Sequence, residues 1–176
     1  VEASTGSLGH GLSFAVGIAL SIKMDNANNQ VYVLVGDGEC QEGSIWEAFM
    51  AAAHHKLDNL VVIIDYNGLQ AMDSIKKILS VDSFTDRLKA FGFSVEDIDG
   101  HNYSEIKQAL QRREKNKPRA IIAHTVKGKG ISFMENVPIW HYRVPNEQEL
   151  EIALQELKMT REDLGKYEKC LFRNII

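Results

Sequence analysis

Two loops carry the side chains best suited to hold a hard cation. The first reads Gly36, Asp37, Gly38, Glu39, Cys40, Gln41, Glu42, Gly43, and the second Asp65, Tyr66, Asn67, Gly68, Leu69. Each follows a short apolar run, so each is expected at the carboxyl end of a strand. If the two strands are neighbours, the Asp37 carboxylate and the Asn67 side-chain oxygen can converge on one ion. Mg²⁺ takes a few protein oxygens together with phosphate oxygens, and a nearby backbone carbonyl can complete its octahedron. The flanking glycines let the backbone approach a diphosphate closely. An Asp between glycines is equally the composition of a plain turn, so the spacing to Asn67 carries the argument.

Two further segments have the composition of ligand loops. Gly6, Ser7, Leu8, Gly9, His10, Gly11 precedes a helical run, and the free amides of a helix start suit a polar ligand. Lys127, Gly128, Lys129, Gly130 is a flexible basic loop able to reach phosphate. A helix-entry turn and an exposed turn have the same compositions. His54 and His55 lack metal-ligand spacing and read as packing or surface residues, while His101 and His124 have no partner that the sequence identifies.

The elements that must position these loops alternate. Helices are expected over 11–24, 44–57, 84–91, 103–113 and 146–157, the last opening on a capping box of Asn146 and Glu149. Strands are expected over 31–35, 60–65, 94–98 and 120–125, the first two apolar enough to be buried on both faces. This alternation predicts an α/β fold with a mostly parallel sheet flanked by helices. Ligands then sit beyond the carboxyl ends of the strands, after positions 35, 65 and 125.

At 176 residues, one domain spanning 1–176 is expected, and 44% hydrophobic with 25% charged residues suits a globular chain rather than a disordered one. A net charge of −4 gives no reason to expect nucleic acid as partner. The basic run of Arg112, Arg113, Lys115 and Lys117 reads as a solvated helix end opposing the helix dipole. Cys40 and Cys170 form no metal or redox pair, so a reducing, cytoplasmic location is expected, and no apolar stretch has membrane-spanning length. The sequence has no initiator Met and opens almost directly into the glycine motif, which leads to the expectation that an upstream part of the domain lies outside it.

Gly36, Asp37, Gly38, followed after a helix and a strand by Asn67, resembles the thiamine diphosphate motif shared by enzymes of that cofactor. Residues 38–48 are similar to transketolases rather than to 2-oxoacid dehydrogenases or deoxyxylulose-phosphate synthases, and the resemblance runs from Gly6 to about Leu157. It implies a thiamine-diphosphate-binding fold in which Asp37, Asn67 and the Leu69 carbonyl hold Mg²⁺, which grips the cofactor diphosphate. By the same resemblance Gly6, Ser7 and Leu8 pack on the cofactor rings, Gly38 lies at the diphosphate, Glu42 sits near the subunit contact, and Lys127 faces the cofactor site. His141 is implied to contact the diphosphate and the donor sugar's oxygens, which makes it the catalytic candidate. Position 10 departs from the family's usual Gln with His, and Tyr142 stands where many transketolases carry Gly.

The implied reaction is transfer of a two-carbon ketol unit between sugar phosphates. The family's pyrimidine-binding domain, which supplies a Glu to the cofactor, is not expected within this chain, so a partner subunit carrying it is implied, in a dimer or heterotetramer. A 2-oxoacid-utilising thiamine enzyme would keep Asp37 and Asn67, but Gln41, Glu42 and Gly43 argue against it. A non-catalytic assembly subunit is a further alternative. A dinucleotide binder requires its glycine turn directly after the first strand, whereas here the turn precedes it.

Overall fold

The computed structural model describes residues 1–81 and 83–172. They form two compact units, Val1–Thr125 and Val126–Ile176. In the first, helix α1 (His10–Met24) leads into β1 (Val31–Gly36), a 3-10 turn (Glu39–Gln41), α2 (Gly43–His54) and β2 (Leu60–Tyr66). There follow α3 (Ile75–Ile78), α4 (Phe84–Phe91), β3 (Ser94–Asp99), α5 (Tyr103–Gln111) and β4 (Arg119–His124). The second unit holds a 3-10 turn (Pro138–His141), α6 (Glu147–Glu156) and α7 (Arg161–Phe172).

The four strands make one parallel sheet in the order β1-β2-β4-β3. Gly36 pairs with Asp65, and Asp65 with Ala123, so β1, β2 and β4 finish nearly level and present their following loops on one edge. Alternate residues of a strand face opposite sides. Val62, Ile64, Ala120 and Ile122 therefore pack with Leu12 and Val16 of α1, Ile45 and Phe49 of α2, and Leu88 of α4. Val61, Ile121 and Ala123 face the other way, toward Ala109 of α5. Phe49 is fully buried, edge-on to Trp46 and Phe93 at 5.7 and 5.4 Å between ring centres. Burying such a ring contributes about 1.5–3 kcal/mol.

Local signals set the helix boundaries. α6 opens on the expected capping box: Asn146 Oδ1 accepts from the Glu149 amide and Glu149 Oε2 from the Asn146 amide, both at 2.9 Å. α4 ends on Gly92 at φ +98°, the left-handed conformation that terminates a helix. α5 stops at Gln111, and Arg113 donates to the carbonyls of Leu110 and Arg112, as the helix-end reading of the basic run requires. Nearby, Arg119 is buried at the start of β4, donating to the carbonyls of Ala109 (2.6 Å) and Arg112 (2.9 Å) beside Glu96.

One expectation is corrected. β1 is not buried on both faces: Tyr32 and Leu34 are 45% and 68% exposed, whereas Val35 is 2% exposed. β1 is an edge strand, and on the α5 side the buried cluster is built from β2, β3 and β4. The short α3 and the polar α7 have no counterpart in the periodicity reading. Among the described residues no helix is long and apolar enough to cross a membrane.

Candidate functional site

The neighbouring, level ends of β1 and β2 set residues 37 and 65–69 side by side. The Asp37 amide donates to the Asp65 carbonyl at 3.2 Å, extending the ladder one residue past β1. Asp37 is 2% exposed. Its Oδ1 accepts from the Gly38 amide at 2.8 Å and its Oδ2 from the Gly68 amide at 2.6 Å, so one carboxylate joins the two loops. Gly68 adopts φ +75°, the left-handed backbone that turns its amide in this loop.

Asn67 is oriented from both ends of its amide. Oδ1 accepts from the Leu69 N–H at 3.0 Å, and Nδ2 donates to Asp65 Oδ2 at 3.3 Å. The other oxygen of Asp65 accepts from the Thr125 hydroxyl at the end of β4. Asp65 and Thr125 thus fix which way Asn67 turns its oxygen, a role their positions in the sequence did not disclose. Leu69 is held by a bridge to Ser74.

Burial pushes the Asp37 carboxyl up to about 6, against the lowering effect of the Gly68 and Gly38 amides and with the Asp65 charge adding to the rise. No ion pair reaches Asp37 among the described residues. A buried carboxylate held only by amide dipoles is a strong attractor for a cation. Among the described residues no three His, Cys, Asp or Glu cluster together, so a cation here would rest on a carboxylate, an amide oxygen and carbonyls. That donor set suits Mg²⁺ and disfavours a soft transition metal.

The first glycine segment reaches the same edge through a residue the sequence did not single out. Glu39 accepts from the Gly9 amide at 3.0 Å and from the Gly36 amide at 3.2 Å. Its place directly after Gly36, Asp37 and Gly38 was the available signal. Gly9 is at φ +82° and its carbonyl accepts from Ser44 at 3.0 Å. A Cβ there would lie 2.9 Å from that of Glu42, so α1 and α2 begin in contact. Gly6, Ser7 and Leu8 are exposed just before it, and Glu42 is exposed at the start of α2.

In the second unit, Lys127 is partly buried and its carbonyl accepts from Asn136 at 2.9 Å. Gly128, at φ +75°, passes so near Met134 that a Cβ would lie 2.6 Å from the Met134 carbonyl oxygen. His141 is exposed at the end of the 3-10 turn, next to Trp140, whose indole donates to the Phe133 carbonyl at 2.9 Å. The structure therefore brings Asp37, Gly38, Asn67 and Leu69 together and ties the segment before α1 to them through Glu39. Lys127 and His141 belong to the other unit. His54 and His55 are surface residues in ring contact, and His124 has the partner its sequence concealed, Asp97 at 2.9 Å.

A level parallel sheet with acid- and glycine-bearing loops at its carboxyl edge defines an α/β domain built to take a charged ligand there. Residues 1–165 match the family described as transketolase, thiamine diphosphate binding domain. The chain belongs to that family. It is 44% identical over 173 residues to one subunit of the apulose-4-phosphate transketolase of Phocaeicola vulgatus, covering 94% of this chain and 62% of the relative. It is 41% identical over 160 residues to one subunit of the 6-deoxy-6-sulfo-D-fructose transketolase of a Clostridium species, covering 90% and 58%. The solved transketolase of Campylobacter jejuni superposes with a TM-score of 0.83 at 34% identity, over 90% of this chain and 26% of that one. The chain thus spans less than two thirds of the relatives it matches.

Proposed function

We propose that the chain is the diphosphate-binding half of a two-component transketolase, transferring a two-carbon unit between sugar phosphates. The observation that carries this reading is the Asp37 carboxylate, buried at the carboxyl edge and held by one amide from each loop. Asp37, the oriented oxygen of Asn67 and the Leu69 carbonyl hold Mg²⁺. Gly38, Lys127 and His141 serve the diphosphate, and Gly6, Ser7 and Leu8 the cofactor rings. Thiamine diphosphate, when bound, supplies the nucleophilic carbon and the electron sink for breaking a ketose carbon–carbon bond.

The chain's own residues orient and neutralise. Asp37 and Asn67 fix the cation, Asp65 and Thr125 fix Asn67, and Glu39 fixes the glycine turn before α1. His141 binds donor-sugar oxygens, and Glu42 stands at the subunit contact. Residues 1–176 belong to one thiamine diphosphate and Mg²⁺ binding domain, a reading that the family match over residues 1–165 supports.

The names of the two relatives, both transketolase subunits, support a partner carrying the pyrimidine-binding domain, in a dimer or heterotetramer. One name contains a sugar phosphate and the other a sulfo sugar, which supports an anionic sugar as substrate. A cytoplasmic location belongs to the same reading. The test is calorimetric titration of thiamine diphosphate with Mg²⁺ into the chain plus its pyrimidine-domain partner, with Asp37→Ala as control. Binding that requires both the partner and Asp37 is the expected result, followed by ketol transfer in a sugar assay. Cofactor binding without any transfer would favour a role in assembly instead.

A further inference from the structure

Among the described residues, three buried side-chain polar atoms have no hydrogen-bond partner: Gln30 Oε1, Asn59 Oδ1 and Gln70 Nε2. Gln30 and Asn59 directly precede β1 and β2, at the amino end of the sheet, where Asn59 donates its amide N–H to the Ala19 carbonyl at 2.9 Å. Gln70 lies at the opposite edge, in the loop that bears Asn67 and Leu69. Its side chain rests on Gly38: a Cβ built there would meet Gln70 Oε1 at 3.0 Å and Gln70 Cβ at 3.2 Å. The amide is therefore packed against the residue that follows Asp37, and the absence of a side chain at position 38 is what admits it.

The backbone that carries Gln70 is fixed. Its N–H donates to the Asp73 carbonyl at 3.0 Å, the Leu69–Ser74 bridge flanks it, and the Ile75 amide closes the loop onto the Gly68 carbonyl at 3.0 Å. The nearby carboxylates already have donors: Asp37 has Gly38 and Gly68, and Asp65 has Asn67 and Thr125. A buried donor without an acceptor costs about 1–3 kcal/mol, and folded proteins retain few of them. Such a donor on a fixed loop, packed against the residue that follows the buried Asp37 carboxylate, fits an acceptor arriving with a ligand of that site.

We propose that Gln70 is a further binding residue of this site, its side-chain amide donating a hydrogen bond to a phosphate oxygen of the Mg²⁺-bound diphosphate. The inference rests on the reading that the two loops take Mg²⁺ and a diphosphate. It assigns to position 70 a contribution to affinity that its neighbours, which hold the cation, do not make.

The test uses the full chain with its pyrimidine-domain partner and the variants Gln70→Met and Gln70→Glu. Inorganic diphosphate and thiamine diphosphate are titrated separately with Mg²⁺, and the thermal midpoint is measured without ligand. Met keeps the shape and removes the donor, so the unliganded midpoint should stay level or rise while both dissociation constants weaken about tenfold. Glu replaces the donor by a charge that repels phosphate, and should weaken both at least a hundredfold. Parent-like binding by both variants overturns the inference while leaving the site reading intact. So does a lowered midpoint with unchanged affinity, or a loss confined to the KM of the sugar phosphate. Failure of the parent complex to bind either probe overturns the site reading itself, and this inference with it.

Discussion

The two ends of the sheet treat buried charge in opposite ways. At the amino end Arg119 is buried beside Glu96, with two carbonyls completing its hydrogen bonds, and Lys23 pairs with Asp58 at 3.3 Å. At the carboxyl end the buried Asp37 meets backbone amides, those of Gly38, Gly68 and Asn67, with a second acid, Asp65, close enough to oppose its charge. Paired charges close a structure, because removing one partner strands the other. An acid compensated by dipoles alone carries a standing cost, which a ligand cation relieves. The difference marks one end as scaffold and the other as site.

The strongest challenge to this contrast is Arg119→Ala. It should cost about 2–3 kcal/mol in denaturant unfolding by abandoning the carbonyls of Ala109 and Arg112, while the folded fraction still binds Mg²⁺ and diphosphate as the parent does. A binding loss larger than the unfolded fraction explains would blur the two ends. Asp37→Ala should do the reverse. Its dissociation constant for thiamine diphosphate with Mg²⁺ should rise at least a hundredfold, about 2.7 kcal/mol, with a smaller change in unfolding free energy.

Gly9→Ala tests the junction between glycine turn and site. The left-handed backbone alone costs about 1–2 kcal/mol, and the new Cβ would strike Ser44 and Glu42, so calorimetry and thermal melts should show binding and stability falling together. The smallest effect is expected from Asp58→Asn, within about 1 kcal/mol, because its pair with Lys23 is partly solvated. Partial burial raises the Asp58 carboxyl, but the Asn116 amide and Lys23 outweigh it and hold it below the ordinary 3.8. A lowered folded value contributes stability above the unfolded one and loses it as pH falls through the folded one. The gap between variant and parent should therefore persist at neutral pH and close below 3.8 in acid-titration melts.

Much of this contrast was legible in the sequence. The apolar runs before Gly36 and Asn67 located two strands, and their glycines and acids located the loops, while the pairing of β1 with β2 came from the fold. Asn146 with Glu149 announced the start of α6, because a capping box is a local interaction with a fixed spacing. What stayed hidden depends on pairs remote in sequence. Glu39 reads as one more acid at a turn until the fold brings Gly9 to it, and the hold of Thr125 on Asp65 crosses sixty positions. The exposed side of β1 was hidden for another reason: an apolar run records what a strand can bury, not whether a helix lies over both of its faces. α7 was missed because its composition is strongly polar, with few apolar residues to mark a helical face.

That open side of β1 has a consequence for handling the molecule. Leu34 and Tyr32 lie on a strand whose outer backbone pairs with no other described strand, which makes the edge a template for adding a further strand. Whatever chain segment occupies that edge acts as a solubility factor, and preparations in which it is bare are the ones that should scatter light as concentration rises.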